Sequence, residues 1–208
     1  MTAQPKAKIP QPLFRTPDDQ LCREERNKLA SNYTRGELHE HFRDWSAQNV
    51  AWETEQLAKS HGIYLEYNRA KTGREKDWMY MVRVSIPGGG SFNREQWRAF
   101  DELSQKYTAN PDGRPSLRVT TRQNIQFHWV KKSAVVEIVR QIALTGFFSI
   151  NGCGDNTRNI MGCPLSRFST IYDANATARR FDEYFRLPAE PHIQIFEIDT
   201  AARRTPDQ

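Results

Sequence analysis

The amino-acid sequence predicts an α+β fold, a two-layer α/β sandwich with helices on one face of a sheet and a polar surface on the other. Three observations lead there. From Ile63 onward the segments follow a β-α-β-α order. The strand-like segments alternate apolar and polar residues with a period of two, which gives a strand one core face and one open face. The segments between them carry apolar residues along one side only, as a helix covering a sheet does.

The elements follow in chain order. Met1 to Asp19 is polar and Pro-rich and reads as a disordered or wrapping arm. Gln20 to about Ser60 reads as charged helix broken near Asn32 and Gly36, anchored by Phe42, Trp45 and Trp52. In the strand Trp78–Ile86, Tyr80, Val82, Val84 and Ile86 face the core, with Arg83 and Ser85 opposite. A helix near Arg94–Tyr107 can be capped by Asn93, with Gln96 three residues on as in a capping box, and carries Trp97, Phe100 and Leu103 on one side. Asn110-Pro111-Asp112-Gly113 is a turn. One long strand, Ser116–Val130, a helix over about Ser133–Thr145 and a short strand at Phe147–Ile150 complete the sandwich. Beyond it, Ala176–Tyr184 reads as helix and His192–Ile198 as strand.

The long strand holds the most chemistry. Its even positions are Arg118, Thr120, Arg122, Asn124, Gln126 and His128; its odd positions include Leu117, Val119, Ile125, Phe127 and Trp129. One face can pack on a core, and the other is a row of hydrogen-bond donors. A solvated outer face accounts for such alternation, but exposure alone does not call for Arg, Gln and His. Arginine's planar fork pairs carboxylates two bonds at a time, so the row suits a polyanionic ligand. The third chemical element is the loop Asn151 to Pro164, rich in Gly and Asn, with Arg158 at its centre. Its glycines permit close approach of backbone to a ligand.

Composition narrows the classes. The chain has 208 residues, enough for one domain of ordinary size, with 38% hydrophobic residues and a mean hydropathy of −0.78. No run approaches the roughly 18 apolar residues of a membrane span, and the start has no apolar signal region. Cys22, Cys153 and Cys163 are too few for a disulfide framework, so a reducing cytoplasm is the default. A net charge of +5 spread along the chain lacks the clustered Lys/Arg and interleaved aromatics of a nucleic-acid surface. Pro87-Gly88-Gly89-Gly90 lacks the lysine and hydroxyl of a phosphate-binding loop and reads as a turn.

Three segments in register resemble the sirohaem-dependent sulfite and nitrite reductases. They are Met81 to Gly89 (MVRVSIPGG), Arg118 to His128 (RVTTRQNIQFH) and Gly154 to Ile160 (GDNTRNI). The resemblance runs from roughly Ile63 to the C-terminus and implies a ferredoxin-like half-domain. It divides the chain into N-terminal arm and helices (1–62), half-domain (63–150) and the beginning of a sirohaem and [4Fe–4S] domain (151–208). Relatives continue past this point, so the chain reads as a truncated piece of a longer protein that is inactive by itself.

The implied activity of the intact protein is six-electron reduction of sulfite to sulfide or of nitrite to ammonia, with ferredoxin or a flavoprotein as electron donor and no nucleic-acid or membrane partner. The resemblance implies that Arg83 and Arg158 contact the substrate anion and that Arg122 pairs sirohaem carboxylates. Arg118, Thr120, Gln126 and His128 belong to the same pocket, with Asn156 and Asn159 as loop partners of a carboxylate. His128 either relays protons, since imidazole titrates near neutrality, or is a hydrogen-bonded structural histidine. Ion pairing across the sheet is the structural alternative for Arg83 and Arg158. No metal ligand is assigned: a [4Fe–4S] cluster needs four ligands, normally thiolates, and the family's paired cysteines and its substrate-side lysine pair are absent. In some relatives a loop cysteine lies close to a tyrosine beside the haem, which points to Cys153 with Tyr64 or Tyr67. A non-catalytic module that binds a tetrapyrrole or another polyanion is the alternative function, and a basic nucleic-acid-binding α/β domain a further one.

Overall fold

The computed structural model describes residues 16–32, 34–71, 76–88, 90–153 and 156–187. The expected strand His192–Ile198 and most of the expected N-terminal arm lie outside the described residues.

Four strands form one antiparallel sheet: β1 (Ile63–Tyr67), β2 (Trp78–Val84), β3 (Leu117–Val119) and β4 (Ile125–Val130), in the order β1-β2-β4-β3. Helices α4 (Arg94–Tyr107) and α5 (Lys132–Leu144) cover one face. They follow α1 (Arg23–Ala30), α2 (Leu38–Arg43) and α3 (Trp52–Ser60) in the chain, and α6 (Ala174–Phe185) comes last. The α+β sandwich is therefore as expected, but its element order is ββαββα rather than β-α-β-α.

The difference arises in the segment expected to be one strand. Ser116–Val130 folds back on itself: Leu117 pairs with Phe127, Arg118 with Gln126 and Val119 with Ile125. Thr120 N–H donates to Asn124 O and Gln123 N–H to Thr120 O, both at 2.9 Å, and Gln123 takes φ +58°. A three-residue loop with a left-handed third position is a common hairpin closure. Here it uses no glycine or proline, so the turn looks like strand in sequence. Val119 is consequently 70% exposed rather than in the core.

A second irregularity lies in β4. Tyr80 pairs with Val130 but Val82 with Phe127, so His128 and Trp129 together oppose Met81 in a β-bulge, with Trp129 at φ +57°. The extra residue lets both Phe127 and Val130 reach the core, whereas Trp129 is only partly buried. The expected strand at Phe147–Ile150 amounts to a single bridge, Ser85 to Phe148.

The core follows the pattern read for the other elements. Tyr80, Val82, Val84 and Ile86 are buried from β2 and its extension, as are Phe100 and Leu103 from α4 and Val135, Ile138 and Ile142 from α5. Phe100 packs against Phe127 with ring centroids 5.8 Å apart. The N-terminal helices break at Asn32 and Gly36, both with positive φ, and again over Asp44–Ala51. Of their expected anchors, Phe42 meets Tyr80 edge to face and Trp52 carries the Arg23 guanidinium over its ring, but Trp45 is 60% exposed. The Asp44–Ala51 connection is fixed from the sheet layer: Tyr80 Oη donates to Gln48 O at 2.8 Å, and buried Lys132 Nζ donates to Ala47 O at 2.8 Å and Asn49 O at 3.1 Å. Three carbonyls thus satisfy groups that would otherwise be costly to bury.

Two glycines set up the polar face. Gly62 has φ +74°, and a Cβ there would collide with Ser149 O; its own carbonyl accepts from Arg83 N–H at 2.8 Å. Gly88, expected only as part of a turn, lies against the backbones of Ile160 and Ala178, with no space for a side chain.

The Asn93 capping box forms as read: Asn93 Oδ1 accepts from Gln96 N–H at 2.8 Å and Gln96 Oε1 from Asn93 N–H at 3.0 Å. Asn93→Ala should cost about 1 kcal/mol of unfolding free energy in urea titrations; an unchanged midpoint would mean that α4 is held by packing alone.

Candidate functional site

The open face of the sheet carries a cross-strand row. Gln126 on β4 stands between Arg83 on β2 and Arg118 on β3. Tyr64 on β1 lies diagonally across from Arg83 on the same face, because it pairs with Met81. Arg83 Nη1 donates to Tyr64 Oη and to Gly152 O, both at 3.1 Å.

Residues 151–153 and 156–160 lie against this row, with Gly154 and Asp155 outside the described residues. The start of this loop is fixed by Asn151, whose side chain bonds Leu187 N–H and O, each at 2.9 Å. Buried Cys153 receives a hydrogen bond from Tyr64 Oη at 2.7 Å. Of the two tyrosines suggested by the sequence, Tyr64 is therefore the partner. Burial and this thiol contact push the Tyr64 phenol up to about 12, although Arg83 and Arg158 pull the other way. Asn156 Nδ2 donates to Ser60 O at 2.8 Å, while its Oδ1 is buried without a partner.

The end of the loop is fixed by an interlocked pair of amides. Asn159 Nδ2 donates to Arg122 O at 2.8 Å, and Arg122 Nη2 donates to Asn159 O at 3.1 Å. Asn124 donates through Nδ2 to Asn159 Oδ1 and accepts through Oδ1 from Ile86 N–H, each at 3.1 Å. Next along, Ile160 N–H donates to buried Asp182 of α6 at 2.9 Å. Burial raises the Asp182 pKa despite this bond.

Three of the expected residues thus converge: Arg83 from β2, Arg122 from the hairpin turn and Arg158 from the loop. Their mutual repulsion is visible in Arg158, whose pKa is lowered first by burial and then by Arg83 and Arg122. Among the described residues no carboxylate forms an ion pair with any of them, so the ion pairing kept open for Arg83 and Arg158 does not occur there. The Nε atoms of Arg122 and Arg158 are buried with no hydrogen-bond partner. Buried unsatisfied donors on cations are expensive, and in native folds they mark places where another group belongs. An anion with several oxygens answers both the charge and the unmet donors.

The remaining expected residues take other positions. Arg118 is exposed at the end of the row. Thr120 Oγ1 accepts from Asn124 N–H at 3.2 Å, inside the hairpin turn. Asn124, read as a polar-face residue, is fully buried. His128 lies 3.0 Å from the Gln126 amide, and burial with the Arg118 and Arg83 charges depresses its pKa to about 4. The ring is therefore held neutral at pH 7, which favours the hydrogen-bonded structural histidine of the two alternatives. Asn151 and Asp182 were not legible as site residues, because a loop amide and a helical carboxylate carry no signal of what they touch.

Asn124→Ala should destabilise the chain by about 3 kcal/mol, because it orphans Ile86 N–H and one amide contact of Asn159. It should also speed hydrogen exchange at Ile160. A change below about 0.5 kcal/mol, within the scatter of neutral surface substitutions, would contradict the role given to this amide.

The nitrite/sulfite reductase ferredoxin-like half domain matches residues 72–144. The sulfite reductase [NADPH] hemoprotein beta-component of Anoxybacillus flavithermus is 31% identical over 202 residues, which is 94% of this chain and 34% of that protein. The protein of the same name from Staphylococcus carnosus is 34% identical over 179 residues, 83% of this chain and 30% of its own length. The chain thus spans about a third of the length of these relatives. The structure of Mycobacterium tuberculosis NirA has the same fold over 69% of this chain and 27% of its own, with a TM-score of 0.54 at 23% identity.

Proposed function

Because the chain belongs to the sirohaem-dependent sulfite and nitrite reductase family, we propose that it forms the N-terminal part of an assimilatory-type enzyme carrying sirohaem and a [4Fe–4S] cluster. The proposed reaction is six-electron reduction of sulfite to sulfide, with nitrite to ammonia as the alternative. The relatives' names favour sulfite. Their mention of NADPH also favours a flavoprotein over ferredoxin as electron donor. A cytoplasmic location belongs to the same proposal, and no helix among the described residues is long and apolar enough to cross a membrane.

The observation that carries the reading is the convergence of Arg83, Arg122 and Arg158 without a carboxylate partner among the described residues, two of them with buried, unmet Nε donors. Such a donor set fits sirohaem, a polycarboxylate macrocycle. It does not extend to the cluster: Cys22 and Cys163 are exposed, Cys153 is engaged by Tyr64, and no three metal-ligating side chains gather among the described residues.

Roles divide by position. Arg122, with Arg118 on the hairpin, lies on the cofactor side; Thr120, Gln126 and His128 support that face from the same hairpin, and Asn156 and Asn159 are loop partners of a carboxylate. Arg83 and Arg158 face the substrate anion. Bound sirohaem would supply electrons to the substrate anion. The arginines draw that anion in, hold it, and offset the negative charge that added electrons bring, which favours protonation and loss of its oxygens. In this proposal residues 63–150 are the half-domain, 1–62 the N-terminal arm and helices, and 151–208 the start of the cofactor domain.

The test uses the full-length protein. Arg83→Ala and Arg158→Ala should each lower kcat/KM for sulfite by about 100-fold or more, with the haem absorbance retained. Arg122→Ala should lower sirohaem occupancy. Wild-type turnover in the first two variants would remove the assignment.

A further inference from the structure

Arg83 is held on nearly every side. Its Nη1 donates to Tyr64 Oη and Gly152 O, and its Nε and Nη2 face the Gln126 amide. The orientation of that amide is assigned from its neighbours. Arginine has no acceptor, so the amide oxygen must be the atom turned toward it. So turned, it accepts from Arg83 Nε at 2.7 Å and Nη2 at 2.6 Å.

The amide nitrogen is then left 3.0 Å from His128 Nε2. An NH2 group only donates, so Nε2 must present a lone pair and the ring proton must sit on Nδ1. The polarity of the whole row is therefore fixed from its arginine end. We propose that Gln126 is a positioning residue for Arg83, and that neutral His128, as the Nδ1–H tautomer, keeps the Gln126 amide turned the right way.

This differs from a direct anion contact. The Gln126 oxygen is an acceptor and points at the guanidinium, so it repels an anion rather than binding it. Four of the five Arg83 N–H groups are committed: Nε, one on Nη2 and both on Nη1. One Nη2 hydrogen is left, with its direction set by the clamp. Arg158 shows the contrasting state, with a buried Nε that has no partner.

The surroundings of His128 fit the neutral ring. It is faced by Gln126 on its own strand, by Arg83 on β2 and by Arg118 on β3, and no described carboxylate is ion-paired with it. Burial and the two charges hold its pKa near 4, below the ordinary 6.5. The stability this arrangement adds is thus fully present above about pH 6.5 and is lost as pH falls toward 4, where the unfolded chain binds the proton more readily. Protonation would replace the lone pair with a donor, set two donors against each other and turn the amide away from Arg83.

Two measurements test the clamp. In the 208-residue chain with 15N-labelled histidine, long-range 1H–15N spectra from pH 3.5 to 8, assigned with His128→Asn, should show His128 as the Nδ1–H tautomer, with a midpoint at least one pH unit below the ordinary 6.5. Gln126→Glu should raise that midpoint by more than a unit, because a carboxylate accepts from both the arginine and an imidazolium. An Nε2–H tautomer, or a midpoint near 6.5, would overturn the proposal whatever reaction the protein performs.

The catalytic consequence rests on Arg83 being a substrate-side residue. In the full-length enzyme Gln126→Leu should raise KM for sulfite and lower kcat/KM about 10- to 100-fold with haem absorbance intact, and Gln126→Glu should recover part of the loss. The expected spectra with unaffected turnover would uphold the clamp and overturn the substrate role of Arg83.

Discussion

Like charges gathered on one sheet face are the constraint to which the rest of this structure answers. Arg83, Arg122 and Arg158 lie close enough for Arg83 and Arg122 to depress the pKa of Arg158. Carboxylates would relieve that repulsion most cheaply, yet among the described residues none is ion-paired with them. The chain instead holds its cations with neutral groups: the Gln126 amide, the Tyr64 hydroxyl, and the carbonyls of Gly152 and Asn159. Neutral acceptors fix the geometry of a guanidinium without cancelling its charge, and the charge stays available to a ligand.

That arrangement explains features that look incidental on their own. The loop against the row is pinned at one end by Asn151 and at the other by Asn159 and Asp182. Asn124 joins the hairpin turn to the loop and to the segment after β2, so three separate pieces of chain are tied together by one side chain. Gly62 and Gly88 admit backbone where a Cβ would push these pieces apart. The bulge at His128 and Trp129 keeps Phe127 and Val130 in the core while His128 remains beside Gln126.

Much of this was legible in the sequence, for reasons that can be named. Local signals worked where one residue decides one contact: Asn93 and Gln96 cap α4 as their spacing requires, and Tyr80 to Ile86 alternate as a half-buried strand must. Period alone misled between Ser116 and Val130. A tight turn there puts Gln123 in a left-handed conformation without glycine, and cross-strand pairing returns Arg118 and Gln126 to one face, so the expected row survives in part for a different reason. Asn124 obeyed the alternation and still went inside, because its amide has partners there. The motifs picked out the arginines that the fold brings together, but the partners that hold them are long-range contacts no spacing encodes.

The account stands or falls on whether this arginine face belongs to a sirohaem protein. The direct measurement is the visible absorption spectrum of the native-source protein, captured with an antibody against this chain. The account predicts haem-type bands over a broad iron–sulfur background. A colourless protein would contradict it and leave the cationic face to some other polyanion.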